Sequence, residues 1–222
     1  MPVAAKCPSE LSSMIERAEG EGADLIEVRL DYLEGIEGIE KIVDHASVPL
    51  IATNRQYEQG GYRVQDEGSR VQNLMKAAES GFQYADIELT TEDLRDVNSA
   101  LRDLGVKPIV SFHNFTCTPS LSEMGKIVED QMRVGAEVCK LVTMAKSIED
   151  NLPCLLLSSK ICKVAKIVCF AMGEKGLISR AFSPIFGGCF TYASIGKGME
   201  TAPGQITISE LKNLYRTLGV EV

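Results

Sequence analysis

Apolar residues in the chain gather into short runs rich in valine, isoleucine and leucine, separated by longer stretches whose apolar positions recur at helical spacing. Short runs bounded by turn signals read as strands, and the stretches between them as amphipathic helices. The pattern predicts eight strands, at residues 3–6, 25–30, 50–54, 84–89, 108–114, 137–143, 166–172 and 190–194. Helix starts are marked by Ser9, Thr90, Ser120 and Ser209, each shortly before an acidic residue that suits the orphan amides and positive end of a first turn. Helix stops are marked by Gly20 or Gly22, then Gly81, Gly105, Gly135 and Gly219, since glycine enters the left-handed cap at least cost.

Strands alternating with helices imply parallel βα units. Eight units in 222 residues point to the α/β class and a compact single (β/α)8 TIM-type barrel, one catalytic domain over residues 1–222, with an open doubly wound sheet as the competitor.

Composition narrows the function. Lysine and arginine number 23 against 31 aspartates and glutamates, and the net charge of −8 disfavours nucleic acid and anionic lipid as partners. No apolar stretch approaches the roughly 20 residues of a spanning helix, and the start MPVAAKCPSE turns polar at once, so a cytoplasmic location is expected. Seven cysteines occur without a C-x-x-C pair or clustered histidines, which argues for reduced, mostly buried thiols and against a metal site.

In a barrel the chemistry belongs at the C-terminal ends of strands and in the loops beyond them. Polar residues interrupt the predicted strands there: Glu27 and Arg29, on one face by alternation, then Thr53 and Arg55, Asp86 and Glu88, His113, and Lys140 with Thr143. Lys140 lies in EVCKLVT with apolar neighbours. Such a lysine is either paired with a carboxylate across the barrel or a partly desolvated amine able to attack a carbonyl. His113, on the preceding strand, is either a hydrogen-bonded structural residue or a proton carrier beside that lysine. His45 reads as surface. Arg180 in GLISRAF and the segment GKGMETAPGQ offer an anion site, suited to phosphate or carboxylate alike.

Taken as a set, EVRLD at 27–31, SFHNF at 111–115, CKLVT at 139–143, FAMGEKGLISR at 170–180 and APGQ at 202–205 resemble type I 3-dehydroquinate dehydratase. The resemblance implies a cofactor-free dehydration of 3-dehydroquinate to 3-dehydroshikimate, in the shikimate route to aromatic amino acids, by a homodimer. It matches Lys140 to the imine-forming lysine and His113 to the general acid and base. Arg180 matches the arginine that grips the substrate carboxylate, Glu27 and Arg29 the pair that binds ring hydroxyls, and Arg55 a further substrate-binding arginine. Met172 matches a pocket methionine. Thr201 and Gln205 fall in a closing loop, to which Gly196, Gly198 and Gly204 would lend mobility. Many members carry a glutamate that orients the histidine, where this chain has Gln59, with Glu58 one residue earlier. That departure leaves two alternatives, an inward Glu58 or another acceptor for His113. Thr201 stands where serine is common, which keeps the hydroxyl. The rival readings are a class I aldolase that uses Lys140 on a phosphorylated sugar, and a non-catalytic barrel in which Lys140 is paired with Glu27 or Glu88. For dimer formation, the apolar region at 161–170 is the expected contact face.

Overall fold

A computed structural model describes residues 1–220. Among the described residues seven parallel strands alternate with helices, and their order in the sheet follows their order in sequence. The chain divides into two compact units, Met1–Val110 with Val134–Ala136, and Ser111–Arg133 with the chain from Glu137 onward.

In the first unit β1 (Pro2–Val3), β2 (Ile26–Arg29), β3 (Leu50–Thr53) and β4 (Tyr84–Glu88) pair in parallel. Between them run α1 (Pro8–Gly20), α2 (Glu40–His45) and α3 (Glu67–Glu79), and α4 (Leu94–Asp103) follows β4. The strands are buried along almost their whole length, as expected of parallel strands covered on both faces. Register places Glu27 beside Ile51, Arg29 beside Thr53, and Thr53 beside Asp86, so a polar row crosses three neighbouring strands. Ala78, Ala85, Leu101 and Val106 pack as a core under α3 and α4.

β5 (Lys107–His113) ends in the second unit. There α5 (Leu121–Arg133), β6 (Val138–Met144), α6 (Asn151–Ile161), β7 (Lys166–Met172), α7 (Leu177–Phe182) and α8 (Ile208–Leu218) follow. β6 and β7 pair over seven residues, with Lys140 beside Val168.

The eighth expected strand is the main correction. Residues 190–194 form no ladder, although their apolar pattern reads as one. Cys189 N–H reaches Ile167 O of β7 at 2.8 Å, but Ser194 turns instead to Ile206 and Ile208, leaving one isolated bridge to Thr207. The Thr191 hydroxyl is drawn to the carbonyl of Arg180 at 2.6 Å. The first strand is also shorter than expected, and the Lys6 carbonyl serves Glu34 N–H rather than a ladder.

The glycine stops hold, with φ of +82° at Gly22, +99° at Gly81, +79° at Gly105, +85° at Gly135 and +66° at Gly219. Ser120 caps α5 in a reciprocal pair with Glu123. Three starts move: Cys7 precedes α1, whose first residue Pro8 has no N–H to satisfy; Asp93, at φ +49°, rather than Thr90 precedes α4; and Thr207 rather than Ser209 caps α8 in a box with Glu210. Cys139, Cys154 and Cys169 are buried as expected, while Cys162 and Cys189 are exposed.

Candidate active site

Glu27 lies within β2 and Arg29 ends it, both nearly fully buried. The Thr53 hydroxyl donates to Glu27 Oε1 at 3.0 Å. Arg29 makes a two-pronged pair with Asp31, Nε to Oδ1 at 2.8 Å and Nη2 to Oδ2 at 2.6 Å, and also donates to the Gly60 carbonyl. Burial alone would lower the pKa of this guanidinium, but Asp31, with Glu27 adding to it, outweighs that and holds it above the ordinary value.

Arg55, just past β3, is gripped by Asp86 at 2.8 Å and Glu88 at 2.7 Å. The second oxygen of Glu88 takes Arg70 of α3 at 2.5 Å, and Arg70 extends the network to Glu67 and Thr91. Burial opposes the charge on Arg55, yet the two carboxylates push its pKa well above the usual value. Asp86 and Glu88 are fully buried and tolerable there because each meets a guanidinium. Both acids stand out in the sequence as polar breaks in a predicted strand, whereas Arg70 does not, because its place on a polar helix face gives no sign of burial.

Glu58 is exposed and lines a cavity of about 220 Å³ with Arg55, Arg63 and Arg70, so the inward alternative fails. Gln59 is the buried residue of that turn, and its amide donates to Thr90 Oγ1 at 2.9 Å.

The second unit holds the other candidates. Lys140 sits within β6, 4% exposed. Its Nζ donates to the Tyr192 hydroxyl at 2.8 Å and lies 4.3 Å from the centroid of the same ring. Tyr192 tilts against Phe170 at 6.0 Å, and the guanidinium carbon of Arg180 lies 4.4 Å from the Phe170 centroid. The amine and the guanidinium are thus bridged by two aromatic rings. Glu88, which the rival non-catalytic reading would pair with Lys140, is engaged by Arg55 and Arg70.

Arg180 is 2% exposed, and its Nε has no hydrogen-bond partner. Nη2 donates to the Pro203 carbonyl at 3.2 Å. Burial lowers its pKa to about 10, only partly opposed by Tyr192. A buried cation with an unmatched donor is suited to an anion supplied from outside, and its fork fits a carboxylate.

The loop carrying APGQ closes on the same place. The Pro203 carbonyl also accepts from Gly173 N–H at 3.3 Å, next to Met172 at the buried end of β7. Gly204, at φ +75°, lies so near that a β-carbon there would be 2.3 Å from the Gly173 carbonyl oxygen. Thr201 and Gln205 brace the loop, Thr201 N–H to Gln205 Oε1 at 2.9 Å and Gln205 Nε2 to the Thr201 hydroxyl at 3.2 Å. His113 ends β5, half-buried, with its ring 6.3 Å from that of Phe115. The next residue, Asn114, bonds through its N–H to Val142 O, so His113 and Lys140 stand toward the same end of adjoining strands. The apolar pattern at 190–194 predicts a strand and so conceals Tyr192, whose polar tip at the end of an apolar run is the available signal.

The family model described as Type I 3-dehydroquinase matches residues 1–222. A Dehalococcoides mccartyi protein named 3-dehydroquinate dehydratase is 38% identical over 200 residues, 90% of this chain and 88% of its own. One from Methanothermobacter thermautotrophicus is 34% identical over 222 residues, covering 98% and 96% of the two chains. The solved structure of the 3-dehydroquinate dehydratase of Geobacillus kaustophilus superposes with a TM-score of 0.90 at 25% identity, over 98% of this chain and 89% of that one. The α/β fold class is therefore that of a (β/α)8 TIM-type barrel, with seven strands formed among the described residues.

Proposed function

The chain belongs to the type I 3-dehydroquinase family, enzymes that remove water from 3-dehydroquinate, and on that premise we propose that Lys140 and His113 perform this step through an imine. The observation that carries the proposal is the environment of Lys140, a buried amine against an aromatic face, linked through Phe170 to a guanidinium whose Nε is unmatched. Such a place suits a molecule that carries both a ketone and a carboxylate.

The neutral amine attacks the ring ketone, and loss of water leaves a protonated imine. That cation draws electrons from the neighbouring C–H bond, which makes its proton removable by a base of modest strength. His113 takes this proton and then delivers one to the departing hydroxyl, which leaves as water. Hydrolysis of the imine frees the product and restores the amine. Arg180 holds the substrate carboxylate, Glu27 and Arg29 the ring hydroxyls, and Arg55 a further polar group. Met172 lines the pocket, and Thr201 and Gln205 belong to the loop that shields the imine from water. No cofactor takes part. The arrangement favours a carboxylate over the sugar phosphate of an aldolase, because one guanidinium with little support faces the anion.

We further propose one catalytic domain over residues 1–222, supported by the single family model that spans them, and a cytoplasmic homodimer. Among the described residues no helix is long and apolar enough to cross a membrane. Of the region at 161–170, Ile167–Phe170 are buried within β7, which leaves only 161–166, with Val164 exposed, to meet a partner. Ile148, Leu152 and Leu156 instead expose about half of each side chain at helical spacing, which supports pairing through α6. Leu156→Glu should then yield monomer by light scattering; a retained dimer sinks that assignment.

The test of the chemistry is borohydride reduction with 3-dehydroquinate present, followed by peptide mass spectrometry, beside Lys140→Ala. A substrate- or product-derived adduct on Lys140, absent from the variant, is expected. Neither adduct nor enone product would overturn the reading.

A further inference from the structure

Tyr192 has no part in the mechanism above, yet it touches the reacting nitrogen twice, once through its hydroxyl and once through its ring. We infer that Tyr192 is the positioning residue for that nitrogen, its hydroxyl accepting one N–H of Lys140 and keeping that bond through to the protonated imine. The inference rests on the imine role of Lys140.

Hydrogen and charge balance give the reason. Amine, ketone and one proton become protonated imine and water: one amine hydrogen and the added proton leave on the ketone oxygen, and one hydrogen stays on nitrogen. The retained N–H is held by the Tyr192 oxygen from the start, which turns the lone pair away from the phenol and toward the incoming carbonyl. When the imine carries its positive charge, the same oxygen accepts a charge-assisted hydrogen bond, and the ring face lies within cation–π distance. Both contacts favour the protonated imine, the only form that acts as an electron sink.

The geometry is locked from several sides. Tyr192 is 5% exposed, and Phe170 and Phe190 tilt against its ring at 6.0 and 5.7 Å. The neighbouring Thr191 is tied to the carbonyl of Arg180. The hydroxyl is therefore aimed by packing and is not free to swing away.

Tyr192→Phe keeps the ring and its packing and removes only the hydroxyl; Tyr192→Leu removes both contacts. Loss of one hydrogen bond to a cation should lower kcat about tenfold in Tyr192→Phe, with KM within about threefold, and further in Tyr192→Leu. Because the hydroxyl favours the protonated imine, its removal should move the alkaline limb of the kcat profile to lower pH, by about half a unit or more. A role in packing alone would change amplitude and leave that limb in place. Wild-type kcat in Tyr192→Phe, or a fall in kcat with the limb unmoved, overturns the inference. A wild-type protein that gives product and adduct beside an unaltered Tyr192→Phe removes this inference alone; a wild type that gives neither removes the Lys140 reading and this one with it.

Discussion

Arg180 faces the ring of Phe170, its guanidinium carbon 4.4 Å from the centroid, at a depth where most buried arginines meet a carboxylate. The ring offers only a weak substitute, and burial has lowered the pKa of the group from 12.5 to about 10. Below pH 10 the fold carries a charge that it would be more stable without, a cost on the order of a few kcal/mol. Arg180→Met should therefore melt no lower than the parent and by several degrees higher, while KM for 3-dehydroquinate rises about 100-fold. Calorimetry and steady-state kinetics on the same preparation decide it, and a joint fall in melting temperature and activity would contradict the assignment.

Gly204 fixes how closely the APGQ loop lies on the end of β7. At φ +75° and 2.3 Å from the Gly173 oxygen, a methyl group has neither conformation nor space. Gly204→Ala should cost about 1–3 kcal/mol and lift Pro203 from Arg180, lowering kcat/KM at least about tenfold. Unchanged kcat/KM would show that the seated loop has no part in turnover.

The thiols should separate by burial. Cys139 is shut away, and desolvation, with a smaller effect from Cys189, pushes its pKa up to about 12, whereas Cys162 is exposed. Iodoacetamide at pH 8 should modify Cys162 in the native protein and reach Cys139 only after unfolding. Early labelling of Cys139, read by peptide mass spectrometry, would mean that β6 opens.

Acid should destabilise the fold through its helix starts. Glu67 is held below its ordinary 4.5 by Arg70, Glu123 by the Ser120 hydroxyl and N–H, and Glu210 by Thr207, while Asp66 is held below 3.8 by Ser69. Depressed folded-state values mean that these carboxylates add stability above the ordinary range and lose it as pH falls through their folded values. The melting temperature should stay level from pH 7 to about 5 and drop below about 4.5. A level profile down to pH 3 would refute this.

How far sequence carries depends on whether the cause is local. The run at 166–172 is β7 residue for residue, and the glycines at 81, 105, 135 and 219 take left-handed caps, because β-branched runs and φ preferences are properties of a few neighbours. Lys140, His113 and Arg180 were visible as polar breaks in apolar runs. Arg70 was not, since its burial follows from Glu88, 18 residues away and on another element. The segment at 190–194 was misread because ladder formation depends on what lies alongside, and its hydrogen bonds go to 206–208 and to α7. Tyr192 stayed hidden with it: only the folded chain brings that hydroxyl to a lysine 52 residues earlier.

One tether gives the site an order of completion during synthesis. The Tyr215 hydroxyl of α8 donates to the Ala181 carbonyl at 2.7 Å, next to Arg180 and 34 residues downstream. At about 5–20 residues per second the ribosome takes roughly 2–7 s to make that interval. Until it ends, the helix that carries Arg180 lacks this tether, so the seat of that guanidinium is completed only after the whole segment from β7 to α8 has been made.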